Sequence, residues 1–129
     1  MFRREEIGDE YFVIAEVGQN HNGDLDLARE YIRIFAFEGA NAIKFQTRNN
    51  EYLFSKDAYE APYSSENAFA ATYGAHREKL ELKPEWLPIL KEDCTKHGVK
   101  FMSTPFDEPS LEVLKQIDVD ILKVASFDL

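Results

Sequence analysis

The chain has one cysteine, Cys94, in 129 residues. A lone thiol excludes a disulfide framework within the chain and suits a reducing cytoplasm. No apolar run approaches the ~20 residues needed to cross a bilayer. Met1-Phe-Arg-Arg-Glu-Glu6 lacks the apolar core of a signal peptide. Basic residues are scarce, with 15 Lys and Arg against 24 Asp and Glu, a net charge of −9. That balance excludes a general binder of nucleic acid or of anionic membranes. It leaves open a small anion held by a few local cations. His21, His76 and His97 show no metal-ligand spacing to one another, to Cys94 or to a carboxylate. His97 suits a helix C-terminus, and His21 is a minor candidate in a polar loop. Cys94 lies near Lys96 and His97, but without a partner cysteine it reads as a half-buried small residue. A glycine-rich dinucleotide turn and a Walker A sequence are also missing.

What the chain does have is four short apolar runs, each ending in polar or charged residues. They lie at 11–16, 42–46, 100–104 and 120–126. The spacing predicts strands at 12–16, 42–46, 100–103 and 120–125, too short and too β-branched for helices. Between the first two, Asp24 is an N-cap and Gly39 a stop for a helix over 25–38, where Leu25, Ala28, Ile32 and Phe35 recur at helical spacing. A second helix runs from Pro84 to His97, with Pro88 as a possible kink and Gly98 as its stop. A third, short one covers 110–117. Residues 47–78 carry no strong period and read as a long loop of the kind that often has a function.

Alternation of strand and helix implies parallel strands joined by right-handed crossovers. Half of a closed barrel and a small open doubly wound sheet both satisfy that pattern. Polar residues at the ends of all four strands favour the barrel, whose active sites gather at the C-terminal ends of its strands. A complete (β/α)₈ barrel takes about 250 residues. The expectation is therefore an α/β fold forming the N-terminal half, about four βα units, of a TIM barrel, with residues 1–129 as one partial domain and a loop at about 47–80.

Lys44 and Gln46 are two apart in a strand and share a face. A lysine inside an apolar strand needs an anion or a wet site. Lys123 repeats the pattern in the fourth run, so the two lysines together suggest a cationic site for phosphate or carboxylate. Glu16 is open to three roles: pairing with a lysine, proton transfer, or binding of sugar hydroxyls. Ser103, Thr104 and Ser126 add hydroxyls at strand ends, where such residues are also common in turns. Asn49, Asn50, Tyr63, Asn67, Tyr73, His76 and Arg77 belong to the long loop, for which a solvated surface is the default.

The segments 14–24 (IAEVGQNHNGD), 42–46 (AIKFQ), 103–107 (STPFD) and 122–126 (LKVAS) occur in an order that resembles the N-acetylneuraminate (sialic acid) synthase family. That family includes spore-coat polysaccharide, legionaminate and pseudaminate synthases. Residues 73–77 (YGAHR) are similar to a segment of some branches. The resemblance implies a TIM barrel followed by a small antifreeze-like domain. It also implies condensation of phosphoenolpyruvate with an open-chain 2-acylamino sugar to a nonulosonic acid and phosphate. By match, Lys44, Thr104, Lys123 and Ser126 surround phosphoenolpyruvate, and Glu16 and Gln46 lie near the sugar. The resemblance further implies a divalent metal, Mn²⁺ or Mg²⁺, and a homo-oligomer. The family's metal-binding histidines match none of His21, His76 or His97. The expectation is that the later strands, the metal ligands and the antifreeze-like domain are absent here, and that this chain alone is inactive. A non-catalytic module that binds a phosphometabolite or pairs through its sheet edges is the alternative.

Overall fold

The computed structural model describes residues 11–129; the stretch read above for a signal peptide lies outside them. The elements run β1 (Ile14–Gly18), α1 (Leu25–Phe37), β2 (Ala42–Thr47), α2 (Asn50–Leu53), α3 (Lys56–Glu60), α4 (Tyr73–Glu78), α5 (Leu87–Lys96), β3 (Lys100–Pro105), α6 (Glu108–Gln116) and β4 (Ile121–Leu122). Single 3₁₀ turns occupy Pro84–Trp86 and Ser126–Asp128. The strands form one parallel sheet in the order β1-β2-β3-β4. A doubly wound sheet reverses its strand order at a switch point. Here chain neighbours are sheet neighbours throughout, as in a (β/α) barrel.

Strand alternation divides the sheet into two faces. On one, Val17, Ile43, Phe45 and Phe101 are buried with Ala28 and Ile32 of α1, Leu87, Leu90 and Cys94 of α5, and Leu114 of α6. The Phe45 and Phe101 rings stack with centroids 5.6 Å apart. Arg29 of α1 holds Asp93 of α5 at 2.6 Å across the outside of this layer. The other face carries Glu16, Lys44, Gln46 and Thr104 and no described helix. Burial pushes the Cys94 thiol well above its usual range, so the sulfur stays protonated and unreactive.

The helix termini follow the sequence. Asp24 caps α1 by accepting from Leu27 N at 2.9 Å, and Gly39 follows the helix at φ 93°. Asp107 caps α6 through Ser110 N and also accepts from Asn49 N at 2.7 Å, tying the end of β2 to the turn after β3. Pro88 sits in the first turn of α5, where a missing N–H costs nothing, and the helix continues to Lys96.

Four expectations need correction. β1 is shifted two residues along from the expected 12–16, and β3 runs two residues beyond 103. Glu16 and Ser103 therefore lie inside their strands rather than at the ends, and Thr104 belongs to β3 instead of the following turn. β4 is only Ile121–Leu122, because the chain turns at 123–125 after pairing briefly with β3. The short third helix begins at Glu108, two residues earlier than its apolar pattern. The long loop is not irregular: it folds into α2, α3 and α4, each capped by a side chain, Asn49, Ser55 and Thr72 respectively. Helices of four to six residues are too short to show a 3.6-residue period.

Gly23 marks where the loop after β1 meets the end of the α2–α4 segment. Its φ is 68°, and a Cβ there would lie 2.1 Å from the Lys79 carbonyl oxygen. Gly39 also has positive φ but has open space around it. Gly39→Ala is therefore expected to cost about 1 kcal/mol of backbone strain alone. Gly23→Ala adds a backbone collision and is expected to cost several-fold more. Chemical denaturation of the two variants checks the order; equal losses would contradict the close approach.

Candidate functional site

The helix-free face brings four of the predicted residues together. Register pairs Glu16 with Lys44, and Gln46 with Thr104. Lys44 Nζ lies 2.5 Å from Glu16 Oε2 and 3.5 Å from Thr104 Oγ1. The Lys44 side chain is 12% exposed while that of Glu16 is 46% exposed. The ammonium is thus nearly enclosed, and its carboxylate partner opens to solvent. A β-bulge follows Glu16, and Gly18, at φ 58°, ends the strand. A Cβ at Gly18 would sit 3.1 Å from Glu16 Oε1 and 3.7 Å from Gln46 Nε2, so the carboxylate and the amide nitrogen flank bare backbone.

The remaining predicted residues stand apart. Ser103 is fully buried on the opposite face, with its hydroxyl 2.8 Å from Thr47 Oγ1. Adjacent strand residues point to opposite sides, which puts Ser103 and Thr104 on different faces of the sheet. Lys123 follows β4. Its N–H donates to the Ser103 carbonyl at 3.1 Å, while its ammonium turns to the Val124 carbonyl at 3.0 Å. Ser126 is exposed in the terminal 3₁₀ turn. Of the two lysines, Lys44 is therefore the one gathered with Glu16 and Thr104, while Lys123 lies on the short segment after β4.

Sequence reasoning missed Arg48 and Glu81. Arg48 Nη2 donates to Gln46 Oε1 at 2.7 Å, and its guanidinium carbon lies 3.9 Å from the centroid of Phe106. Glu81 Oε1 lies 3.5 Å from Arg48 Nη1, accepts from Gln19 Nε2 at 2.6 Å, and lies 3.9 Å from Arg77 Nη2. The two charged side chains of the Arg48–Glu81 pair are 11% and 7% exposed. Burial pulls the Arg48 guanidinium below its usual range and pushes the Glu81 carboxyl up, with their mutual attraction opposing both shifts. Both shifts disfavour the charged forms, so desolvation outweighs pairing here. The signal available in the sequence was Arg48 two residues beyond Gln46, continuing the inward face. Nothing local marked Glu81.

A cavity of about 480 Å³ opens elsewhere, between the loop helices and α6, with Asn50, Tyr59 and Ser110 in its wall. Arg48 and Glu81 form part of that wall, while Glu16, Lys44, Gln46 and Thr104 do not.

The histidines do not form a ligand set. Among the described residues, no three of His, Cys, Asp and Glu converge as a metal site would require. His76 is buried in the loop, accepting from Phe69 N at 3.2 Å and packed against Tyr63. With the buried Gly74 and Asn50, it shows that this segment has an inside of its own and is more than a solvated surface. His97 caps the C-terminus of α5. His21 is buried; its Nδ1 accepts from Gly23 N at 3.0 Å. Burial lowers its pKa from 6.5 to about 4, against smaller opposing effects of the Gly18 backbone and Asp24.

His21 is therefore neutral in the folded protein and protonates more readily when unfolded. Its contribution is complete above pH 6.5, is lost as the pH falls from 6.5 to about 4, and is constant below that. Replacing it with Gln is expected to remove about 3 kcal/mol of the stability difference between pH 7 and pH 4. Urea unfolding at both pH values checks this; parallel pH dependence in parent and variant would contradict it.

A parallel sheet in sequential order, with polar residues gathered toward the C-terminal ends of its strands, is the arrangement of half a (β/α) barrel, and it carries an acid–ammonium pair on its helix-free face. Residues 31–129 match the family model described as the NeuB family, and the chain belongs to that family. It is 38% identical over 117 residues to N-acetylneuraminate-9-phosphate synthase of Homo sapiens, covering 91% of this chain and 33% of that protein. It is 40% identical over 119 residues to N,N'-diacetyllegionaminic acid synthase of Legionella pneumophila, covering 92% of this chain and 33% of that one. The crystal structure of N-acetylneuraminic acid (sialic acid) synthetase from Leptospira borgpetersenii, in complex with citrate, superposes with a TM-score of 0.74 at 38% identity. That match covers 93% of this chain and 38% of the other. The chain spans about a third of the length of the curated relatives it matches.

Proposed function

We propose that this chain supplies the part of a nonulosonic acid synthase that holds phosphoenolpyruvate and an open-chain acylamino sugar. The Glu16–Lys44 pair, flanked by Gln46 and Thr104 on the helix-free face, carries the reading. In an aldol-type condensation, C3 of phosphoenolpyruvate bonds to the aldehyde carbon and the aldehyde oxygen gains a proton. Positive charge develops at C2. Water adds there with loss of a proton, and phosphate departs. A dianionic phosphate next to a carboxylate needs cations that are already placed. Lys44 is enclosed, so its charge is worth more to an incoming anion than an exposed lysine's would be. Thr104 adds a hydroxyl next to it. Lys123 and Ser126 complete the anion side from the segment that follows β4. Glu16, an acceptor in its charged form, faces the open side and takes sugar hydroxyls.

The residues described do not fit a divalent metal: their histidines are buried in packing roles or cap a helix, and no carboxylate cluster replaces them. No step here runs through one. Our reading includes that these 129 residues do not complete the reaction alone, since they correspond to about a third of the matched relatives' length.

Lys44→Ala and Lys123→Ala each remove a charge-assisted contact worth about 1.5–3 kcal/mol. In the full protein each is expected to raise the KM for phosphoenolpyruvate or lower kcat/KM by about 10- to 150-fold. The loss should be larger for Lys44, whose removal also strands Glu16. Phosphate release with N-acetylmannosamine and related acylamino sugars is the assay. Unchanged KM and kcat in both variants would sink the site.

A further inference from the structure

Gln46 is the one predicted site residue whose side chain is held by another side chain from the loop layer. An arginine has five donors and no acceptor, so the amide atom that meets it has to be the oxygen. Arg48 Nη2 makes that contact at 2.7 Å, leaving the amide nitrogen on the Gly18 and Glu16 side. An unconstrained glutamine would present either end. Arg48 is held in turn: Phe106 covers one face of its guanidinium, and Glu81 engages Nη1. Glu81 is fixed by Gln19 from the loop after β1, in a segment whose backbone is pressed against Gly23. Three parts of the chain that are distant in sequence thus converge on one guanidinium.

We propose that Arg48, steered by Glu81, is a positioning residue that fixes the Gln46 amide with its NH₂ toward the substrate. The site then offers the sugar a donor at this point and an acceptor at Glu16, and it selects an acceptor oxygen of the sugar against a group that can only donate. The inference rests on the function proposed above. Its energetic setting agrees with a specificity role: burial works against both charges of the Arg48–Glu81 pair. Such pairs add little to stability, and orientation is a use that justifies their cost. The arrangement also gives the α2–α4 segment a task, since Glu81, just after it, sets a residue inside the barrel mouth.

The test is steady-state kinetics on the full protein with both substrates varied, using Arg48→Lys, Arg48→Met, Arg48→Met with Glu81→Gln, Gln46→Glu, and Gln46→Glu with Arg48→Met. The Arg48→Met, Glu81→Gln double variant removes both charges of the pair, so that only Arg77 loses its carboxylate neighbour, and it serves if Arg48→Met alone folds poorly. A net hydrogen bond of this kind corresponds to about a five- to tenfold change. Sugar KM is expected to rise by about that factor in both Arg48→Met proteins, with phosphoenolpyruvate KM within about twofold of the parent. Arg48→Lys, still a pure donor, should recover part of the loss. Gln46→Glu removes the donor itself, so adding Arg48→Met to it should change sugar KM little, a non-additivity that a merely structural role would not produce. Sugar KM unchanged in the charge-free double variant, or equal effects on both substrates, would overturn the positioning role. So would full additivity with Gln46→Glu. A parent protein that turns over no acylamino sugar with phosphoenolpyruvate would instead overturn the proposed function, and the positioning role with it.

Discussion

The parallel pairing of β2 between β1 and β3 is the constraint on which the rest depends. Residues 42–45 of β2 have a neighbour on both sides, so the alternation of β2 is imposed on the strands that flank it. Ile43 and Phe45 face the helices, and Lys44 and Gln46 face away. A one-residue slip would drive an ammonium into the Phe45–Phe101 stack and turn the apolar face outward. The same register sets Glu16 beside Lys44 and Thr104 beside Gln46. Core and site are therefore the two faces of one decision about pairing.

The site is built in layers of decreasing exposure. Glu16 is open, Lys44 is nearly enclosed, and behind Gln46 the Arg48–Glu81 pair is almost dry. Charges in this order reinforce one another more strongly with depth, because the medium screens them less. The α2–α4 segment is bracketed in the chain by Arg48 and Glu81, the two members of that pair. Its aromatic contacts among Phe54, Tyr63, Tyr73 and His76 give it a small core of its own, and Asp107 joins the start of this segment to the turn after β3. The segment that looked least ordered in sequence thus has capped helices and a small core.

Much of this was legible before any coordinates. The apolar runs located all four strands, Asp24 and Gly39 bracketed α1, and the absence of a glycine-rich turn pointed away from a doubly wound sheet. Lys44 stood out because a lysine in a buried strand needs a partner, and Glu16 is that partner. The strand ends were misjudged where polar residues continue the ladder, as at Thr104. Polarity marks a face or an end equally well, and only pairing tells them apart. The helices of the loop escaped because a single turn has no period, although their caps were present in the sequence.

What the sequence determined by itself is whatever depends on spacing along the chain: element type, strand alternation, helix caps, and the pairing of family motifs with strand ends. What the tertiary structure alone decided is whatever depends on distance through space. Ser103, which alternation sets on the face opposite Thr104, found a buried partner in Thr47 of the neighbouring strand. Lys123 and Ser126 stood off because β4 pairs for only two residues. Arg48 and Glu81 met because parallel crossovers fold the chain back so that residues 33 positions apart share one ion pair. Local rules cannot see such encounters, because the energy that fixes them is a difference in solvation that exists only once the chain has closed around them.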